Sequence, residues 1–332
     1  MMKSILNRLH EYFIKFLKLM KEVNNKKFDP VILSFPSYAN GSKVRLIGRV
    51  VERITEYDFI KSKNSYKHFV QVIKLFITIK YENIKVLLIS QDSKLSTITD
   101  QEGFFNEVFD VGNTKMNLKL SATVKTQAIS TNTNIIRPTV NSKNIIISDI
   151  DDTIIKSKAI SFTSLIVKTL FYPPSKRQSF PETSTVYQKL KKGETGNENN
   201  LFFYVSSSSW NIYPILKGFL EINHFPRGVV LLQDVVSEKK RGHSSSHGHK
   251  INRISEIIEM YPELPLTLIG DAGQEDPNIY LEVAKLYPNK VKNIYIRKSW
   301  WTDAVKDFDH INEEILSRGI NLIYFDHITE IV

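Results

Sequence analysis

The sequence predicts an α/β protein. A parallel sheet flanked by helices is preceded by an all-β sandwich-like domain and an N-terminal amphipathic helix. Three observations lead there. From residue 143 onward, short apolar runs alternate with helix-periodic segments, the pattern of a sheet covered on both faces. From about 43 to 140, runs rich in β-branched and aromatic residues are punctuated by Asn, Asp, Gly and Ser. Over residues 3–23, Ile5, Leu9, Tyr12, Phe13, Phe16 and Met20 recur at helical spacing. The expected organisation is an amphipathic helix over 1–27, a β-sandwich over 40–140 and an α/β domain over 143–332.

The N-terminal segment carries Lys3, Arg8, Lys15, Lys18 and Lys21 around its apolar stripe. Such a helix either docks its apolar face on the protein's own body or lies on an anionic membrane surface. Arg8, Glu11, Lys15 and Lys18 break up any signal-peptide core. Pro30, Pro36 and Gly41 mark residues 24–41 as a linker. The runs KVRLIGRVVERI, FVQVIKLFITI, IKVLLIS, GFFNEVFDV and NLKLSATV then read as strands, with no helix between them. Nothing in this region has metal-ligand or nucleophile spacing, so binding, packing or orientation is its expected role.

Composition bounds the function. The 332 residues are 42% hydrophobic and 24% charged, which excludes a mainly disordered chain. There is no cysteine, hence no disulfide, thiolate metal site or cysteine nucleophile. No apolar run reaches the roughly 18 residues that a spanning helix needs. The expected location is cytoplasmic, with peripheral contact at a membrane. Lys+Arg 45 against Asp+Glu 35 leaves a net charge of +10, suited to acidic partners. A background rich in Lys, Asn and Ile accounts for that charge equally well. No nucleic-acid-reading motif is present, so no nucleic-acid partner is expected.

After residue 143, NIIISDIDDT reads as a buried strand entering an acidic turn. LFFYVSSSSW, GVVLLQD, PLTLIGDAGQEDP, VKNIYIRK and NLIYF read as further strands, and NIYPILKGFLEI and KINRISEIIEMY as helices. Four of the strands carry their polar residues at the carboxyl end, where open α/β sheets bind ligands.

Asp149, Asp151 and Asp152 crowd the first of these ends. Like charges so close favour protonation unless a cation intervenes. Oxygen-only donors in a chain without cysteine suit a hard ion, Mg²⁺ rather than Zn²⁺. On an extended backbone Asp149 and Asp151 face one cavity. The first could attack a phosphorus atom, and the second could protonate the leaving oxygen and then deprotonate water. Taken alone, the motif is also an ordinary Asp-rich turn. Asp271 and Asp276, beside Gly270 and Gly273, could complete the shell or lie on a solvated loop. Ser206 ends its strand, and with Ser207, Ser208 and Ser209 it offers a phosphate cradle or a helix cap. Lys250 could neutralise a phosphoryl oxygen. His243, His247 and His249 sit in a Ser/Gly-rich run without other ligands, and the chain has no G-x-S-x-G elbow.

The order strand-D-x-D-x-T, strand-S, Lys, strand-G-D-x-x-x-x-D resembles the haloacid-dehalogenase superfamily. SDIDDTI, FYVSSSSWNIYPIL, FPRG, HKINRI and LIGDAGQEDPNIY resemble more closely the phosphatidate phosphatase catalytic domain named after the yeast actin-patch protein, over roughly residues 143–300. The resemblance implies a Rossmann-like fold and Mg²⁺-dependent hydrolysis of phosphatidate to diacylglycerol and phosphate. By the same resemblance, Asp149 is the nucleophile that becomes an aspartyl-phosphate, and Asp151 is the general acid/base. Thr153 supports the motif loop, while Ser206, Ser207 and Lys250 hold the phosphoryl group. Mg²⁺ is bound by Asp149, Asp271 and the backbone carbonyl of Asp151, with Asp276 joining the shell or orienting it. The expected partner is an anionic phospholipid, or another phosphomonoester if the chemistry is kept and the substrate differs. A non-catalytic basic lipid-binding module is the reading from a different class. The apolar stretch Phe162, Leu165, Ile166, Val167, Leu170, Phe171 and Tyr172 would either dip into a bilayer interface or cap the core.

Overall fold

A computed structural model describes residues 28–54, 65–89, 94–112, 118–155, 174–177, 179–233, 246–273, 275–298 and 309–332. The expected amphipathic helix over 1–27, the apolar stretch 162–172 and His243 lie outside the described residues. The chain divides into two compact units, with the boundary between Ile135 and Ile136. Among the described residues, Tyr38–Asn40 fall with the second unit and Pro174–Lys176 with the first.

The N-terminal part of the chain contains β1 (Pro30–Ser34), β2 (Ser37–Ala39), β3 (Lys43–Glu52), α1 (Ser65–Ile77), β4 (Lys85–Ile89), β5 (Lys94–Ile98), β6 (Phe104–Asp110), β7 (Lys119–Val124), β8 (Gln127–Asn132) and β9 (Ile135–Ile136), all in the first unit except that the unit boundaries fall within β2 and β9. One sheet runs β1-β3-β2-β9 with β6 also on β3, and the other runs β5-β4-β7-β8. In the second sheet Val86 faces Ala122 and Leu88 faces Leu120. All four are buried, so the period-two alternation puts one face of the β4–β7 pair in the core.

Two expectations fail here. The unit is not all-β, because much of the run FVQVIKLFITI lies in the helix α1 rather than a strand. Among its described side chains His68, Val72, Ile73 and Ile77 are buried, spaced i, i+4, i+5 and i+9 as one helical face requires. Its β-branched content hid that period. Nor are residues 24–41 wholly a linker: β1 and β2 lie inside it. Pro30 is tolerated because it is the first residue of a strand paired on one side, with β3.

The second unit contains β10 (Ile145–Ser148), α2 (Thr183–Lys192), β11 (Leu201–Ser209), α3 (Tyr213–Ile222), β12 (Val229–Gln233), α4 (Ser246–Met260), β13 (Leu266–Asp271), α5 (Asp276–Leu286), β14 (Val291–Arg297), α6 (Asp309–Ser317) and β15 (Asn321–Phe325). These six strands form one sheet in the order β12-β11-β10-β13-β14-β15, parallel at every pairing. Ile145–Ile147, Leu201–Val205 and Leu266–Ile269 are buried without interruption. Strands covered on both faces read as continuous apolar runs for that reason. The chain adds β11 and β12 on one side of β10, then β13, β14 and β15 on the other. The strand order therefore reverses between β10 and β13, and the carboxyl ends at such a reversal are where open α/β sheets bind their ligands.

Candidate functional site

At that reversal, Asp149 follows β10, Asp271 ends β13 and Asp276 opens α5. Lys250 arrives from α4. All four are buried, with exposures of 3%, 2%, 0% and 4% respectively. Lys250 Nζ lies 2.8 Å from Asp149 Oδ1 and 2.5 Å from Asp276 Oδ1. Asp276 Oδ2 accepts the Asp271 backbone N–H at 3.2 Å, and Asp271 Oδ1 accepts that of Gly273 at 2.8 Å. Both oxygens of Asp276 are thus engaged. Among the described residues, Asp149 Oδ2 and Asp271 Oδ2 are buried with no hydrogen-bond partner.

The packing leaves no slack. A Cβ on Gly270 would stand 2.4 Å from Asp276 Oδ2, so only glycine lets that carboxylate lie against β13. Tyr280, one turn further along α5, donates to the Ile269 carbonyl at 2.9 Å and ties the helix to the same strand. Asp149 is fixed through its backbone, whose N–H donates to the Ile269 carbonyl at 2.9 Å. The Ser148 hydroxyl bonds to the Asp149 carbonyl at 2.6 Å and to Tyr187 Oη at 2.8 Å.

Asp151 lies in the following turn and is half-buried. Its Oδ2 accepts from Ser206 Oγ at 3.1 Å and from Ser208 Oγ at 3.3 Å. Ser208 N donates back to Ser206 Oγ at 3.0 Å. Ser206 and Ser208 reach one carboxylate because they are two apart on β11. Ser207 sits between them, half-buried and without a side-chain hydrogen bond among the described residues. Ser208 was named only as part of the serine run and not as a partner of Asp151, although the same alternation in the run Ser206–Ser209 points to that contact. Thr153 is fully buried and its hydroxyl has no partner among the described residues. Its carbonyl accepts from Arg297 Nε at 3.0 Å. Arg297 and Ser148 were also missed. Neither carries a sequence signal, since one reads as a strand-end cation and the other as part of an apolar run.

The electrostatics follow from burial. Desolvation pushes Asp149 up to about 8, with Lys250 pulling back and Asp276 and Asp151 adding to the rise. Desolvation, then Asp276 and Asp149, hold Asp271 well above the ordinary carboxylate range. Asp151 is raised by burial against the opposing Ser206 hydrogen bond. Burial disfavours the Lys250 charge, but Asp149 and Asp276 outweigh it and keep the ammonium firmly protonated.

This arrangement can hold a metal. One oxygen from each of Asp149, Asp271 and Asp276 lies within 4.8 Å of the others. Two orphaned carboxylate oxygens and an excess of buried acid over base suit a hard cation. His247 is directed elsewhere, toward Glu282 at 3.0 Å and Glu275 at 3.7 Å.

Residues 144–298 match the family described as phosphatidate phosphatase APP1, catalytic domain. Over this segment the chain is similar to the catalytic domain of a phosphatase-like hydrolase, one of the phosphatidate phosphatase type. The chain is 30% identical to phosphatidate phosphatase APP1 of Saccharomyces cerevisiae over 122 residues, 37% of this chain and 20% of that protein. It is 25% identical to an uncharacterized protein of Schizosaccharomyces pombe over 247 residues, 71% of this chain and 38% of the other. The chain thus spans well under half the length of these two relatives. Among solved structures, a carbohydrate acetylesterase from Xanthomonas citri aligns at 8% identity and a TM-score of 0.30, over 90% of this chain and 68% of that one.

Proposed function

We propose that the protein is a Mg²⁺-dependent phosphatase that hydrolyses phosphatidate to diacylglycerol and phosphate through an aspartyl-phosphate. The observation that carries this reading is the convergence of Asp149, Asp271, Asp276 and Lys250 inside the segment matching the catalytic domain. The strand order and the acids at the reversal support a Rossmann-type, haloacid-dehalogenase-like assignment for the second unit.

Asp149 and Asp271 would hold the cation through the oxygens left unbonded, with the Asp151 carbonyl alongside. Both Asp276 oxygens are taken, which makes it the residue that orients Lys250 and Asp271. When bound, the cation supplies positive charge opposite the transferring phosphoryl group. An Asp149 oxygen attacks phosphorus, and the bond to the diacylglycerol oxygen breaks. Asp151 gives its proton to that oxygen. Asp151 then takes a proton from water as the water oxygen attacks phosphorus, the bond to Asp149 breaks, and phosphate leaves. A carboxylate nucleophile needs no separate activating base. Lys250, Ser206 and Ser207 bind phosphoryl oxygens, and Thr153 supports the loop that carries both acids. The sheet supplies alignment, which phosphoryl transfer needs more than covalent help.

The charge of +10 suits peripheral contact with an anionic bilayer. Among the described residues, no helix is long and apolar enough to cross a membrane. The test is phosphate release from phosphatidate vesicles and from soluble phosphomonoesters, with Mg²⁺ and with chelator. Release from vesicles that needs Mg²⁺ and disappears in Asp149→Asn is expected. Release that survives Asp149→Asn would sink the mechanism, and activity confined to soluble esters would sink the lipid assignment.

A further inference from the structure

Arg297 sits where the two acid-bearing segments meet, and no part of the chemistry above uses it. It ends β14 in register with Asp271 of β13, and its carbonyl accepts the Ala272 N–H at 2.9 Å. Its backbone therefore flanks the strand end that presents Asp271. Its side chain turns the other way, toward the Asp149–Ile155 turn. Nε donates to the Thr153 carbonyl at 3.0 Å, and the two terminal nitrogens reach the Asp326 carbonyl at 3.3 Å and Thr183 Oγ1 at 3.5 Å. The guanidinium lies 3.9 Å from the Phe180 ring centroid and 4.8 Å from that of Phe325. It is 4% exposed and forms no carboxylate ion pair among the described residues.

A buried guanidinium without a paired carboxylate is costly to keep; desolvation lowers this one to about 10, against the opposing pull of Tyr187, Asp271 and Asp326. The turn it braces is under constraint. Asp152 adopts φ 59°, a left-handed conformation that a side chain enters at an energetic cost. Ile154 N and Ile155 N both close on the Ile150 carbonyl at 3.1 Å, and Phe180 N donates to the Ile154 carbonyl at 3.2 Å. The Thr153 carbonyl points inward, where a backbone acceptor needs a donor. Arg297 is that donor.

We propose that Arg297 is a positioning residue for the phosphatase reaction: its fork-shaped side chain holds the Asp149–Ile155 turn through the Thr153 carbonyl and so keeps Asp149 and Asp151 in line with Asp271. The proposal rests on the function argued above. Its working feature is the planar fork clamped between two rings, not the charge, and lysine does not reproduce that geometry.

The experiment compares wild type with Arg297→Lys and Arg297→Gln. Both variants are expected to lose about 10²-fold in kcat, the scale of a small misplacement of reacting groups, with KM unchanged. Lysine does not rescue. In hydrogen exchange, the amides of Ile154 and Ile155 lose protection while those of Leu268 and Ile294 keep it. A wild-type kcat per folded molecule overturns the proposal, and so does unaltered exchange at Ile154 and Ile155. Should neither variant fold, wild type decides by NMR: a slowly exchanging Arg297 Nε–H supports the clamp, and a rapidly exchanging one overturns it. If wild type releases no phosphate, the functional reading fails on its own, and the exchange measurements still judge the clamp.

Discussion

Lys250 Nζ stands 2.8 Å from Asp149 Oδ1, a buried ion pair closed between helix α4 and the residue that follows β10. The same ammonium holds Asp276, so one cation spaces two carboxylates. Removing it leaves buried acids without a partner. Lys250→Met is expected to destabilise the protein by about 3–5 kcal/mol, the usual loss when one member of a buried pair is deleted. Urea unfolding at pH 7 measures it. Phosphate release is expected to fall together with stability, because Lys250 is also proposed to bind the phosphoryl group.

The raised carboxyl of Asp149 gives stability a pH dependence of definite sign. Its value rises from 3.8 to about 8 on folding, so between those limits the folded state binds the proton more tightly. The stabilisation is complete below the unfolded value and is lost as pH climbs through the folded one. Asp271 moves the same way. Melting temperature without metal should therefore drop between pH 5 and pH 8. Saturating Mg²⁺ should flatten the slope, since a bound cation replaces those protons. Calorimetric melts at several pH values, with Mg²⁺ and with chelator, test this. A flat metal-free profile would contradict it.

The carboxylate at Asp149 is best for catalysis and poor for the empty fold, so Asp149→Asn should raise the metal-free melting temperature at pH 8 while abolishing turnover. The amide carries no charge to desolvate, and Lys250 keeps Asp276 as its partner. Thermal melts of both proteins in chelator decide it. A variant less stable than wild type at pH 8 would mean that the Lys250–Asp149 attraction outweighs desolvation.

The acids of this site were legible because each sits where an apolar run ends, and an apolar run covered on both faces is easily recognised. Asp149 and Asp271 could be placed at strand ends without knowing which strands are neighbours, whereas Lys250, expected just ahead of a helix, lies inside α4. What that reading lacked was pairing. Ser206 and Ser208 share Asp151, and Arg297 meets Thr153, only because β10, β11 and β14 occupy particular places in the sheet. The helix Ser65–Ile77 was misread for a local reason. Its buried set His68, Val72, Ile73 and Ile77 is helical in spacing, but β-branched side chains dominate it and strand propensity prevailed. Pro30 and Pro36 likewise suggested a linker, although a proline at a strand's first residue removes no essential ladder bond.

Gly270→Ala tests how tightly Asp276 is held without touching any charged group. The new methyl would stand 2.4 Å from Asp276 Oδ2 and 2.8 Å from its Cβ and Cγ. β13 cannot retreat, because Gly270 pairs with Ile296 of β14 in the middle of the sheet. The carboxylate must move instead, breaking its bond to the Asp271 N–H and its contact with Lys250. Overpacking of this kind costs about 1–3 kcal/mol, measurable by urea unfolding. Turnover is expected to fall by far more than the small volume change implies, because Asp276 carries the orientation of Lys250. Since Asp276 is not assigned as a direct ligand, Mg²⁺ affinity in titration calorimetry should weaken less in Gly270→Ala than in Asp271→Asn. Equal loss of affinity in the two variants would place Asp276 among the metal's own ligands.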